Sequence, residues 1–568
     1  MPTELRPIRN PEPHSAAPHV RKGVTRLTVD VPSSYRSAPP RRVQPASRWS
    51  TPEFIFYGVI FCLVVPIMVW IPVTLSSPSH DNYTLYKRRL SPGWLFGRQV
   101  DNSDMQYRNF RNNIPTLGAL VFAFLGFKTT WLHFAQMTTY SLYAARLHFL
   151  LLFSFCLMLG LHGASVIKIF VILSVNYAIA KSCQGSRLGP LLTWVFNAAV
   201  LFANETYDGY VFASIHPSLA ALDSIEGIYP RWHVGFNITT LRLISFNMDY
   251  FWACRRTGPV NTESVMTEKQ RANTPHPLST YNYQHYIAYA LYPPLYIAGP
   301  IITFNDFMWQ LQRPLSISSR SILGYCVRFL VCLLTMELVL HFMYVVAIKD
   351  TKAWSGDTAA ELSMIGFWNL IVVWMKLLIP WRFFRLWALA DGIDPPENMV
   401  RCMANNYSTL GFWRSWHRSY NLWIVRYIYI PLGGTQNALF TTVLVFTFVA
   451  LWHDLSFRLL AWGWLVSFFI LPEIAANHFL PPSKYGEYWW YRHVCAVGAA
   501  FNILMMMAAN LVGFVIGTDG ISYMLQQLLR TSKGLWFLAA AYACLFIAAQ
   551  VMFEYREEET RQGIYRRC

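Results

Sequence analysis

From Phe54 to Leu75 the chain runs for 22 residues without a charge. At about 1.5 Å per residue, a helix of that length crosses a hydrocarbon core of about 30 Å. A lone segment at that depth must satisfy its own backbone hydrogen bonds, which leaves helix as its conformation. Comparable apolar blocks recur near 115–134, 147–161, 164–180, 189–203, 284–304, 322–348, 363–379, 437–453, 458–476, 494–516 and 535–553. The expected fold class is therefore an all-α, polytopic membrane protein with ten to twelve transmembrane helices. The shorter or interrupted blocks are expected to be re-entrant segments, tolerated where protein or a water-filled cavity surrounds their backbone.

Composition supports this class. Of 568 residues, 54% are hydrophobic and only 14% charged, against roughly a quarter charged in soluble domains. Disordered, collagen-like and ordinary cytosolic chains are excluded. A soluble chain of this length would divide into about four domains; here one continuous helical body is expected.

The net charge of +17 does not point to nucleic acid, since no soluble fold carries a clustered basic stripe. Residues 1–53 hold nine Lys/Arg, four acids and ten prolines, a composition that cannot bury a core and reads as a disordered basic N-terminal arm. By the positive-inside rule the arm favours the cytosol, which puts the 76–114 loop on the other side. The sequon at Asn82 agrees with a lumenal loop; the same tripeptide pattern at Asn204, Asn237 and Asn406 adds little. The ten cysteines form no C-x-x-C pair and no zinc pattern, so they read as small packing residues. Cys568, at the end of the chain, is not part of a lipidation box.

Charged residues inside apolar blocks are costly and mark function or a helix-packing contact. Glu337 and His341 are four apart and share a helical face, which reads as a structural pair. Lys128, Lys168 and Arg242 lie near block ends, where snorkelling is the plain reading.

The most unusual stretch is 381–454. It opens with Trp381-Arg-Phe-Phe-Arg-Leu-Trp387, turns through Asp391-Gly-Ile-Asp-Pro-Pro-Glu397, and continues as Gly411-Phe-Trp-Arg-Ser-Trp-His-Arg-Ser-Tyr-Asn421 up to Pro431-Leu-Gly-Gly434. Rings interleaved with Arg and His suit a membrane interface or half-inserted segment rather than a lipid-facing span. An uncharged helix then ends in Leu451-Trp-His-Asp454. If it runs back toward the first segment, His453 meets His417. A histidine titrates near neutrality, so it can take a proton from an alcohol attacking a carbonyl and pass it to the leaving group.

Phe412-Trp-Arg-x-Trp-His417, Tyr427-Ile-Tyr-Ile-Pro-Leu-Gly-Gly434 and Leu451-Trp-His453 together resemble the signature of the membrane-bound O-acyltransferase (MBOAT) family. Tyr292-Pro-Pro-Leu-Tyr-Ile-Ala-Gly-Pro300, Leu241-Arg-Leu-Ile-Ser-Phe-Asn-Met-Asp-Tyr250 and Ala390-Asp-Gly-Ile-Asp-Pro-Pro-Glu-Asn-Met399 most resemble its fungal glycerol-uptake-protein (Gup) branch, related to Hedgehog acyltransferase. The resemblance is strongest over about 230–475. The arm lies outside it; the expected regions are the 1–53 arm, a 54–553 transmembrane domain and a polar 554–568 tail.

The resemblance also implies roles. His453 and His417 would be catalytic, with His453 as general base. Asn421, Trp413, Arg414, Arg418, Arg426, Trp452 and Asp454 would contact substrate, the arginines suiting acyl-CoA phosphates or a lipid headgroup. No metal or cofactor is implied, acyl-CoA being a co-substrate. The other expected partners are membrane lipids and a lyso-glycosylphosphatidylinositol (lyso-GPI) lipid or GPI-anchored protein, in the endoplasmic reticulum membrane, with acylation at the sn-2 hydroxyl as part of GPI-anchor remodelling. The competing classes are a glycerol or polyol transporter, suggested by broken apolar segments, an acyltransferase acting on a secreted protein, and a catalytically dead regulator, which the presence of both histidines opposes.

Overall fold

The computed structural model describes residues 46–256, 266–453 and 456–564. Most of the basic arm, Asp454 and Cys568 therefore lie outside the described residues. The first long helix, α1 (Pro52–Leu75), starts where the Thr51 hydroxyl accepts from the Phe54 N–H and Pro52 supplies a preset φ. A short antiparallel hairpin follows, β1 (Leu90–Pro92) and β2 (Gln99–Asp101), with Leu90 opposite Asp101. The helices α2 (Met105–Gln136), α3 (Leu142–His162), α4 (Val166–Cys183), α5 (Leu188–Thr206) and α6 (Trp232–Cys254) build the first half of the bundle.

Two short helices, α7 (Tyr283–Ala290) and α8 (Pro293–Tyr296), precede α9 (Ser319–Phe342) and the long α10 (Ala359–Asp391). The helix α10 begins at a capping box, with Glu361 reaching back to the Thr358 N–H, and ends at Gly392 in the left-handed region. Two further short helices, α11 (Thr409–Ser415) and α12 (Arg418–Ile424), lead into α13 (Ala438–His453), α14 (Phe457–Phe479), α15 (Tyr491–Asn510), α16 (Gly517–Leu529) and α17 (Ser532–Arg561). The polar residues from Glu554 onward continue α17 as far as Arg561.

Among the described residues eight helical stretches are long and apolar enough to cross a bilayer, below the expected ten to twelve. Merging, breakage and shortness account for three of the twelve blocks, and a fourth, 189–203, forms the 19-residue α5, which is not among the eight. The blocks at 147–161 and 164–180 belong to a single stretch, Leu142–Cys183, which turns at Gly163. Gly163 has φ +54°, and a β-carbon there would collide with the Ile225 carbonyl oxygen. The block at 284–304 breaks before Pro293 and Pro294, leaving α7 and α8 as fragments. The block at 437–453 yields the 16-residue α13, about 24 Å long and short of a full crossing.

The broken segment explains Arg242. Rather than snorkelling, this residue of α6 is fully buried, donating to the carbonyl of Ala290 at the end of α7, at 2.9 Å, and to that of Leu295 in α8. Carbonyls freed at a helix terminus carry partial negative charge, so the guanidinium is compensated without a carboxylate. The other two cations also face inward. Lys128 pairs with the buried Asp391 at 2.6 Å, beside Arg146 at 3.3 Å and the Tyr292 hydroxyl at 2.5 Å, and Lys168 donates to the Tyr210 carbonyl at 2.6 Å.

Glu337 and His341 do share a face and pair, the His341 Nδ1 lying 2.7 Å from the Glu337 carbonyl and 3.9 Å from its carboxylate, and both hold Trp94. Glu337 accepts from the Tyr107 hydroxyl at 2.9 Å and the Trp94 indole at 3.1 Å, while His341 accepts from the Trp94 main-chain N–H at 3.3 Å. Together they pin the hairpin loop to α9. The sequon residue Asn82 is buried, its Nδ2 donating to the Ser355 carbonyl at 3.1 Å and to Asp357 at 3.2 Å.

Candidate active site

The site forms around a break in the chain between α11 and α12. The helix α11 is capped by the Ser408 hydroxyl, which accepts from the Gly411 N–H at 2.9 Å and donates to Glu473 of α14. Glu473 also accepts from the Leu410 N–H at 3.2 Å. The backbone then turns through His417 at φ +44°, ψ +50°, a left-handed conformation costing a non-glycine residue on the order of 1–2 kcal/mol. Asn398 holds that turn, accepting from the Arg418 N–H at 3.1 Å through its carbonyl and from the Ser419 N–H at 3.0 Å through its side chain. The Ser419 hydroxyl in turn accepts from the Ile301 N–H at 2.9 Å. Three segments far apart in sequence thus converge on one histidine.

The turn lays the His417 ring on Trp381 of α10, with centroids 4.7 Å apart and planes 22° apart. On its other side stands Tyr420, centroid 5.2 Å away. Tyr420 also packs on Trp452 at 4.6 Å and meets the His453 ring edge-on at 6.5 Å. The α13 terminus is fixed by the Trp452 indole donating to the Asn237 carbonyl at 3.2 Å. The two histidines are therefore brought together through Tyr420, whose hydroxyl is buried and has no hydrogen-bond partner among the described residues. Tyr420 was not singled out from the sequence, although its position three residues after His417 puts it on the same helical face. Trp381, Asn398 and Glu473 carry no such signal, because only the tertiary fold brings them to His417 and α11.

Both histidines line a chamber of about 1280 Å³ bounded by α1, α10, α11, α12 and α13 to α17. Its surface is apolar, and no Asp, Glu, Lys or Arg is among the described residues lining it. His453 is exposed, but to this chamber. The ring nitrogens of His417 and His453 are the imidazole donors and acceptors that this wall presents.

The remaining candidates divide. Asn421 and Trp413 line the chamber, Trp413 packing on Phe446 and Trp462 at 5.9 and 5.4 Å. Trp452 is buried behind it. Arg414, Arg418 and Arg426 do not face the chamber. Arg414 is exposed, Arg418 pairs with Glu268 at 3.2 Å, and Arg426 pairs with the buried Asp249 at 2.7 Å while lying over the Trp252 ring. Arg426 borders a separate polar pocket of about 450 Å³ with Trp252, Asn273 and Asn305. Asp454 lies outside the described residues. Among the described residues no cluster of three or more His, Cys, Asp or Glu side chains is arranged to hold a metal.

The site is thus two histidines on the wall of an apolar chamber inside a helical membrane bundle. Residues 127–518 match the membrane-bound O-acyltransferase family, and the chain belongs to it. It is 48% identical to membrane-bound O-acyltransferase GUP1 of Saccharomyces cerevisiae over 92% of this chain and 94% of that protein. It is 44% identical to membrane-bound O-acyltransferase GUP1 of Candida tropicalis over 96% and 94% respectively. A more distant relative, mouse protein-cysteine N-palmitoyltransferase HHAT, is 27% identical over 52% of this chain and 56% of that protein.

Proposed function

We propose that this protein transfers a fatty acyl chain from acyl-CoA to a lipid hydroxyl, specifically the sn-2 hydroxyl of the lyso-phosphatidylinositol moiety of GPI anchors, in the endoplasmic reticulum membrane. The observation that carries this reading is the pair of histidines in a chamber lined, among the described residues, by no charged side chain. The acyl chain lies in the chamber with its thioester carbonyl at His453. His453 takes the proton of the acceptor hydroxyl as the oxygen attacks that carbonyl, and returns it to the departing thiolate as the C–S bond breaks. The ester forms with no covalent enzyme intermediate. His417, held by Trp381 and by the Asn398 turn, orients the site through Tyr420.

Arg426 and its polar pocket are the candidate contact for the CoA phosphates, since guanidinium donors match phosphate geometry. The printed name of the mouse relative describes a protein-cysteine acceptor, so a protein acceptor is the second reading. The test is the full chain in liposomes with radiolabelled palmitoyl-CoA and lyso-phosphatidylinositol. Diacyl product is expected, and His453→Ala is expected to abolish it while the protein still accumulates. Product formation by a folded His453→Ala variant would overturn the assignment.

A further inference from the structure

The polar end of α17 presents two faces. On one stand Phe553, Arg556 and Glu559, spaced three apart and therefore neighbours along the helix. All three grip the segment that joins α10 to α11. Glu559 pairs with the buried Arg401 at 2.7 Å. The Arg556 guanidinium donates to the Asn405 side-chain oxygen at 2.9 Å and to its main-chain carbonyl at 2.6 Å. The Phe553 ring meets the Tyr407 ring edge-on, with centroids 4.7 Å apart.

The other face serves different partners. Glu554 accepts from the Arg48 N–H at 2.9 Å and from the Arg492 guanidinium at 3.4 Å, and Glu557 pairs with Arg492 at 2.5 Å. Arg492 stands at the start of α15, so this face ties α17 to α15 and to the residues that lead into α1.

The segment gripped by the first face is the one that shapes the His417 turn. Between Asp391 and Thr409 the chain forms no helix or strand, and an irregular stretch of that length is ordinarily a mobile surface loop. Here Asn398, Met399, Val400 and Arg401 are buried. Asn398 accepts from the Arg418 and Ser419 N–H groups, just after His417, and the Arg401 N–H donates to the Ser415 hydroxyl, just before it, at 3.3 Å. A strained, left-handed residue persists only where its surroundings over-determine it. Arg401 makes that hold depend on α17, because its main chain faces α11 while its side chain faces Glu559.

We propose that Arg401, Arg556 and Glu559 are positioning residues for acyl transfer: the end of α17 is a clamp that holds the 398–407 loop against α11 and so keeps His417 in its left-handed turn on the chamber wall. None of the three lines the chamber; they act through the loop. The proposal rests on the part given to His417 in the reading above. Removing one partner of the buried Arg401–Glu559 pair leaves a charge uncompensated, so that pair tests folding together with position. Arg556 is half-buried and is the cleaner probe, since Arg556→Lys keeps the charge but loses the planar fork that reaches both Asn405 oxygens.

The test compares Arg556→Lys with Glu557→Gln, which removes an ion pair on the other face, each in the full chain in liposomes with palmitoyl-CoA and lyso-phosphatidylinositol. Hydrogen–deuterium exchange read by mass spectrometry follows residues 398–421, and kcat and KM are measured on the same preparations. For Arg556→Lys, kcat is expected to fall at least about fivefold with both KM values within about twofold, because small displacements of catalytic groups act on rate. Exchange over 416–421 is expected to quicken while that of α9 stays the same. Glu559→Gln, measured in parallel, is expected to shift both readouts in the same direction, and Glu557→Gln to move neither. Unchanged exchange in Arg556→Lys would overturn the clamp. Faster exchange with unchanged kcat would overturn the proposal through the part given to His417. Equal losses in Glu557→Gln would make α17 general scaffold and overturn the proposal as well. Absence of transfer by the parent would defeat the lipid-acceptor reading alone, with the exchange data still deciding the clamp.

Discussion

Tyr420 stands between His417 and His453, its ring centroid 5.2 Å from the first and 6.5 Å from the second. Its hydroxyl is buried without a partner among the described residues, and an unpaired buried hydroxyl costs about 1–3 kcal/mol. The ring, not the oxygen, makes the contacts described. Tyr420→Phe is therefore expected to keep acyl transfer within about threefold of the parent and to melt no lower, whereas Tyr420→Ala leaves a cavity between the histidines. A loss of at least about tenfold in kcat is expected for the alanine variant, in line with the sensitivity of rate to small displacements of catalytic groups. Measuring kcat and thermal melting for both variants separates the ring from the hydroxyl.

His417 lies in the left-handed region at φ +44°, which glycine adopts freely and a β-branched residue does not. His417→Gly relieves that strain but gives up the ring's packing on Trp381 and Tyr420, worth about 0.5–1.5 kcal/mol per pair, so it is expected to melt no higher than the parent and to be inactive in transfer. His417→Val keeps the strain and loses the same ring packing, and is expected to be destabilised further, by about 1–3 kcal/mol. Melting temperature and acyl transfer measured on the same preparations check both expectations; a valine variant that melts above the glycine variant would show that the left-handed turn is not strained.

The sequon at Asn82 predicts a glycan that the fold opposes. The Asn82 Nδ2, the atom a glycan would occupy, donates to Ser355 and Asp357, and the residue is buried. No change in gel mobility is expected after endoglycosidase treatment of protein made in a eukaryotic host. A shift abolished by Asn82→Gln would show that this contact forms only in unglycosylated chains.

What was legible in the sequence was whatever rests on local pattern or on several motifs taken together. Long apolar blocks located α1, α9, α10 and α14, and the joined Trp-His and Pro-Leu-Gly-Gly motifs located the histidines. Hydropathy marked the block at 284–304 but not the partner that sustains its break, Arg242, which holds the carbonyls at the α7–α8 junction. The arginines look alike in sequence, but Asp249 and Glu268, more than 140 positions from their partners, decide that Arg426 and Arg418 are ion-paired. Asn398 and Trp381 act on His417 through three-dimensional packing alone.

Asp357 offers a pH test outside the membrane-spanning segments. Burial, then the nearby Glu361, raises its pKa from 3.8 to about 6, and its Oδ2 lacks a partner. Between about pH 4 and pH 6 the folded chain therefore holds a proton here that the unfolded chain has released. This group's contribution is stabilising below that window, declines as pH rises through it, and is flat above. Asp357→Asn, which keeps an oxygen to accept from Asn82, is expected to raise the melting temperature at pH 7 and to flatten its dependence on pH between 4 and 6. Melting curves of parent and variant across that range check both expectations. Parallel curves displaced by a constant amount would mean that Asp357 is ionised throughout and that its burial is relieved by water.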